Sequence, residues 1–213
     1  MMKVLLDGQP LPDAPNLREG LRSAIDHADA LGRIVVEALG DGKPLSEAQL
    51  ADPDLALGVT AELRLTSADP RPLVARTLRE GVEVLQRVRA EQERAAAALQ
   101  SGRMEEALGL LGGVLGAWQN VRDVLEGAMG VLRIDLAEVE VTIARRGKRE
   151  PSTAAARAEA LAGLLRRARE CVQGEDWSAL ADLVGFDLDV ESKAWEGMLG
   201  ELAGLIEREA GPR

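Results

Sequence analysis

Among 213 residues the chain has one cysteine, one histidine, one phenylalanine and no tyrosine, and each scarcity excludes something. A single Cys171 cannot form an internal disulfide. No N-terminal stretch joins a basic start to an apolar run and a small-residue cleavage site, so a reducing, cytoplasmic setting is expected. His27 stands alone, which rules out a triad that needs a second histidine and deprives any metal site of its commonest ligand. Aromatic side chains make up 2% of the sequence, three of them Trp, too few for the stacking platforms that read bases or sugars. The longest uncharged apolar run, Ala107 to Trp118, falls far short of the roughly 20 residues of a membrane-spanning helix. Acids outnumber bases 36 to 26 for a net charge of −10, which argues against nucleic acid as a partner and for a protein with a basic surface. Little Lys beside abundant Ala, Arg, Gly, Leu and Val gives the composition of a GC-rich bacterial genome.

What is present is ample apolar content, 46%, enough for a core without covalent staples. From Met2 to Leu6 an apolar run leads into the turn signal Asp7-Gly8-Gln9-Pro10, and Pro12 and Pro15 delay helix until Asn16. Asn16 caps a helix whose apolar residues Leu17, Leu21, Ala24, Ile25, Ala28 and Leu31 recur at helical spacing before Gly32. Ile34 to Leu39, bounded by Gly40-Asp41-Gly42, and the alternating stretch Val59 to Thr66 read as strands, with one helical turn at Ser46 to Leu50 between them. Strand, hairpin, helix, strand, turn and strand in about 65 residues is the order of a small α+β module whose sheet packs on one helix. By element order and length it resembles a β-grasp, or ubiquitin-like, fold, with a ferredoxin-like or other small sandwich as the alternative.

After the linker Ser67-Ala68-Asp69-Pro70 the period changes to that of helix. One apolar stripe runs from Leu78 through Val82, Leu85, Val88, Gln92 and Ala95 to Leu99, and a second from Met104 through Leu111, Val114, Trp118, Val121 and Leu125 to Leu132, separated by Ser101-Gly102. An alternating stretch, Arg133 to Ile143, is expected to be extended, and Arg145 to Pro151 a solvent loop. Helix resumes at Ser152 and stops at Gly174. A short helix from Asp176 to Val184 and a last one from about Asp189 to Glu209 complete four main helices. The expected fold class is therefore α+β: residues 1–69 a small β-grasp-like module, residues 70–213 an antiparallel helical bundle.

Candidate sites are few. His27, beside Asp26 and Asp29, reads as a solvated helix residue, and Cys171 as a small buried hydrophobe. Asp182, Asp187, Asp189 and Glu191 have the carboxylate density of a calcium loop without its turn glycine and distal Glu, so helix capping is the better reading, Asp189 opening the last helix. Arg145, Arg146, Lys148 and Arg149 form the one basic cluster, a connector or a contact loop for acidic groups. Gly109, Gly112, Gly113 and Gly116 each cost a helix about 1 kcal/mol relative to Ala. Close approach by a neighbouring helix of the bundle is their expected reason, a partner helix in a groove the other. No Gly-Lys-Ser/Thr ending follows them, so they are no phosphate loop.

The helical hairpin with Ser101-Gly102-Arg103-Met104-Glu105-Glu106-Ala107 at its turn and Cys171-Val172-Gln173-Gly174-Glu175-Asp176 at a later one resembles, over about residues 70–209, flagellin export chaperones. Asp176 to Leu188 also resembles a segment of helical bacterial proteins without assigned activity. The resemblance implies a small antiparallel bundle that wraps a disordered secretion substrate. Tetratricopeptide turns read similarly, but no repeat of about 34 residues is present. The expected function is a non-enzymatic adaptor or chaperone-like protein that binds another protein, a helical or disordered segment of a secretion or motility component, with no catalytic residue, cofactor or metal. Trp118, Phe186 and Trp195 are the candidate partner-facing residues, although core placement is the commoner fate of such rings. A homodimer completing its bundle across two chains and an enzyme using Glu80, Glu83 and Asp123 are the rival expectations.

Overall fold

Two Asp-Gly turns set the first sheet. Asp7 and Gly8 have φ of 50° and 79°, and Asp41 and Gly42 have 49° and 78°, the left-handed pairs that two-residue hairpin turns demand. The first joins β1 (Met2–Leu6) to β2 (Gln9–Ala14), the second joins β3 (Ile34–Gly40) to the two-residue β4 (Lys43–Pro44). Each aspartate also reaches across to β5 (Glu62–Ala68): Asp41 accepts from the N–H groups of Ala61 and Glu62, and Asp7 from the N–H and hydroxyl of Ser67. Sequence reading ended this strand at Thr66 and gave Ser67 and Ala68 to a linker. Ser67 is instead a buried strand residue, which leaves only Asp69 and Pro70 outside both elements.

The structure, a computed structural model, describes residues 1–55, 60–145 and 148–209, and Val59, the expected start of the last strand, lies outside them. It divides into two compact units, Met1–Pro70 and Arg71–Arg213. In the first unit the strand order is β2-β1-β5-β3-β4, with β1 and β5 parallel at the centre. Helix α1 (Leu17–Ala30), capped by the Asn16 side chain, lays Leu17, Leu21, Ala24 and Ala28 on Met2, Val4, Leu6, Leu63 and Leu65. One long helix crossing a mixed five-stranded sheet is the expected β-grasp-like arrangement, and the parallel central pair sets aside the ferredoxin-like alternative. Helix α2 (Glu47–Ala51), closed by a Ser46–Gln49 capping box, and a 3-10 turn at Pro53–Leu55 fill the crossover.

The second unit is a helical bundle built around α3 (Arg71–Gln100), which packs along α4 (Met104–Leu132) on one side and α7 (Leu188–Glu209) on the other. Helix α4 ends on Arg133 in the left-handed region, φ 56°, where the N–H groups of Arg133 and Ile134 return to Gly130 and Met129. That reversal and the Asp135 turn delay the expected extended segment to β6 (Glu140–Arg145), which pairs antiparallel with β7 (Lys148–Thr153). The stretch read as a solvent loop, Arg145 to Pro151, is thus mostly strand, and its partner β6 packs against α7, where the Thr142 N–H donates to Glu201. Thr153 then caps α5 (Ala154–Gln173) and Asp176 caps α6 (Trp177–Asp182). The two C-terminal helices expected as separate are continuous. A π-helical turn, Leu183–Asp187, links α6 to α7 because Leu183, Val184 and Leu188 are all buried there and leave no surface break. No helix among the described residues is long and apolar enough to cross a membrane.

Candidate functional site

Helix α4 lies along α3, and no other element of the described residues shares a comparable interface with it. Side chains reach further: the rings of Trp118 on α4 and Trp195 on α7 meet edge to face, 5.6 Å between centroids and 85° between planes. Both are 0% exposed, so neither is available to a partner, and the expectation that they face one is corrected. Their size places them where only large rings fill the space between two helices that flank α3. Phe186 differs, being 58% exposed on the outer side of the π turn.

Because α4 and α5 do not pack on each other, an apolar groove of about 590 Å³ opens between them. Leu111, Leu180, Val184 and Leu188 form its floor. Leu108, Gly112, Leu115 and Gln119 of α4 make one wall, and Leu165, Ala168, Arg169, Val172 and Gln173 of α5 the other. Leu108, Leu115 and Val172 are large apolar side chains left exposed there. Arg169 carries the only charge among the residues lining the groove.

Gly112 lines this groove, and Gly109, Gly113 and Gly116 are exposed rather than in the bundle interior. A methyl group added at Gly109, Gly112 or Gly116 would meet no atom within 4 Å, and only Gly113 looks toward α3, with Glu91 at 3.5 Å. Close approach by a neighbouring helix of the bundle, the reason expected from sequence, therefore does not account for three of the four. Gly185 shows the opposite situation, since a methyl there would sit 3.0 Å from Ala96.

Across α5 lies a smaller cavity of about 200 Å³ lined by Leu164, Val190, Phe186 and two ion pairs, Arg167–Asp187 and the largely buried Arg157–Glu191, each 3.3 to 3.4 Å long. Three members of the acidic run, Asp187, Asp189 and Glu191, are thus partners of arginines. Asp189 lies inside the first turn of α7, which is continuous with the π turn, so it does not cap a helix as expected; burial pushes its carboxyl up, but hydrogen bonds from Lys193 and Arg89 outweigh it and hold it below its ordinary value. Among the described residues no group of three or more His, Cys, Asp or Glu gathers to hold a metal ion.

No family model, curated protein or solved structure matches the chain.

The remaining sequence candidates disperse. His27 is exposed on the last turn of α1, and Cys171 is half-buried against the helical core. Glu80 is exposed and pairs with Arg76, Glu83 is exposed on α3, and Asp123 is exposed on α4 and accepts from Gln119. None of these three lines the groove or the smaller cavity described above. The basic cluster Arg145, Arg146, Lys148 and Arg149 falls on side chains outside the described residues.

Proposed function

We propose that the chain is a binding protein, adaptor or chaperone-like, whose helical unit takes an amphipathic helix of another protein in the groove between α4 and α5. The observation that carries this reading is the outward side of α4. From Ala107 to Val121 it bears no charge, and where a surface helix normally shows solvated charge it shows glycine and exposed leucine. Three interior glycines cost the helix about 3 kcal/mol in all, a cost that close contact with a second backbone offsets. An incoming helix with apolar residues at i, i+3, i+4 and i+7 would cover Leu108, Leu115 and Val172, with a carboxylate placed near Arg169. The resemblance of this unit to flagellin export chaperones supports a secretion or motility substrate as the source of that helix.

The test is a photo-crosslinker carried at position 115 in the full chain, expressed in its source organism, with the crosslinked peptides identified by mass spectrometry. A single recurrent segment with helical apolar spacing is expected, lost in the Leu108→Glu/Leu115→Glu variant without loss of thermal stability. Crosslinks to a second copy of the chain would replace this reading with the homodimer, and an uncrosslinked groove would remove it.

A further inference from the structure

The groove between α4 and α5 is electrically one-sided. Its α4 wall is neutral, since Ala107 to Val121 contains no charged residue. On the α5 wall Arg169 lines the groove, and Arg166, one turn before it, stands about 60° further round the helix toward the outer rim. Both side chains are exposed, and neither has an ion pair or hydrogen bond among the described residues. Arg157 and Arg167, which face the smaller cavity, are by contrast committed to Glu191 and Asp187. Glu170, the acid nearest in sequence, lies about 40° beyond Arg166, further from the groove, and pairs with neither arginine. In a chain of net charge −10, two uncompensated guanidiniums along an uncharged trough reverse the local sign.

Resting on the reading of this groove as a helix site, we infer that its partner is an acidic amphipathic helix with two carboxylates one turn apart on a single flank, and that this flank fixes the direction in which the helix lies. Apolar residues of the partner descend onto Leu111, Leu180 and Val184 while its carboxylates reach Arg166 and Arg169. The opposite flank, over Gly112 and Leu115, has to be small and uncharged, because a charge there loses water and meets no counter-charge on the α4 wall. Turning a helix end for end exchanges its flanks, so acids confined to one flank face α5 in one direction only. Charges at an exposed rim act mainly on encounter and on rejection of basic helices, which makes them the selective part of the groove and its apolar floor the adhesive part.

The experiment titrates the ¹⁵N-labelled full chain with a blocked helical peptide of about three turns, matched to the roughly 16 Å of α4 between Leu108 and Gln119. The peptide carries Leu at i, i+3, i+4 and i+7, two Glu on one flank, Ala and Gln elsewhere, and a nitroxide at its N-terminus. Saturable amide shifts along the groove are expected, with affinity at least about tenfold above that of the peptide in which Lys replaces Glu. That preference should vanish in the Arg166→Gln/Arg169→Gln variant, whose exposed sites leave the melting temperature in place. Nitroxide broadening should fall at one end of the groove and move to the other when the Glu pair changes flank. Equal affinity for the Glu and Lys peptides at the same amides overturns this inference and leaves the helix groove standing, as does equal broadening at both ends. Absence of saturable shifts overturns both. Saturable shifts with dodecanoate but not with the peptide also overturn it, and would assign the groove to an anionic lipid.

Discussion

The indole rings of Trp118 and Trp195 meet at 85° across the centre of the helical unit, and neither indole N–H has a hydrogen-bond partner among the described residues. Their contribution is therefore volume and ring geometry rather than polar bonding. Trp118→Ala and Trp195→Ala should each cost about 3–5 kcal/mol in urea denaturation, since a cavity of that size cannot collapse between three helices. The Phe replacements, which lose area but remove an unpaired donor, should cost less than about 2 kcal/mol. A double-mutant cycle should return about 0.5–1.5 kcal/mol of coupling. Single alanine costs under about 1 kcal/mol would show that the rings are not core.

The glycines of the helical unit should answer to an added side chain with opposite signs. At Gly112 and Gly116 an added methyl meets nothing, so each substitution should raise stability by about 1 kcal/mol, seen as a higher melting temperature. At Gly185 the space is already taken by Ala96. There Gly185→Val should lower stability by about 1–3 kcal/mol by pushing the π turn off α3. If the stabilised Gly112→Ala/Gly116→Ala variant also loses its crosslinked partner, the helix has given up stability for that surface; if the partner is kept, the glycines do not serve the groove.

Asp189 gives a pH dependence of known sign. Its carboxylate accepts from Arg89 at 2.8 Å and Lys193 at 2.7 Å, and its pKa in the folded chain lies below the ordinary value. A carboxyl so depressed stabilises the fold above the unfolded pKa of about 4, and the contribution fades as pH falls through the lower folded value. The stability difference between the natural chain and Asp189→Asn should thus be constant above about pH 5 and shrink below about pH 4. Denaturation midpoints across that range check it, and a difference that grows on acidification would contradict the assignment.

Much of the fold was legible because it rests on local chemistry. Asp-Gly turns, the Asn16 cap, the Pro70 and Pro72 start of α3 and the Ser101-Gly102 break are each written in a few adjacent residues. What escaped were features decided by distant neighbours. β4 is too short to show a period, β7 runs through Lys, Arg, Glu and Pro and is held by its pairing with β6, and the π turn follows from burial of Leu183, Val184 and Leu188. The groove was half visible. In sequence the uncharged stretch after Glu106 reads as too short for a membrane span and its glycines as a place of close helix approach, whereas the groove itself is marked by the outward positions Leu108, Gly112 and Leu115, where a solvated helix would carry charge. That α5 stands off from α4 is a tertiary fact no periodicity contains.

Ser67 offers a test of how far each unit holds itself together. Its hydroxyl lies 2.6 Å from Asp7 and 2.7 Å from Arg33, and its carbonyl accepts from the same guanidinium, so one buried residue ties the β1–β2 turn, the start of β3 and the end of β5. Hydrogen bonding by Ser67 also holds the Asp7 carboxyl below its ordinary value. Ser67→Ala removes the hydroxyl shared by two charged groups and should cost the first unit about 1–3 kcal/mol. Each unit has its own apolar cluster, Leu63 and Leu65 with α1 in one, the Trp pair with α3 in the other. The loss should therefore appear as faster hydrogen exchange at the amides of β1, β3 and β5, while those of α3, α4 and α7 keep their protection. Equal acceleration in both sets would mean that the two units unfold as one cooperative body.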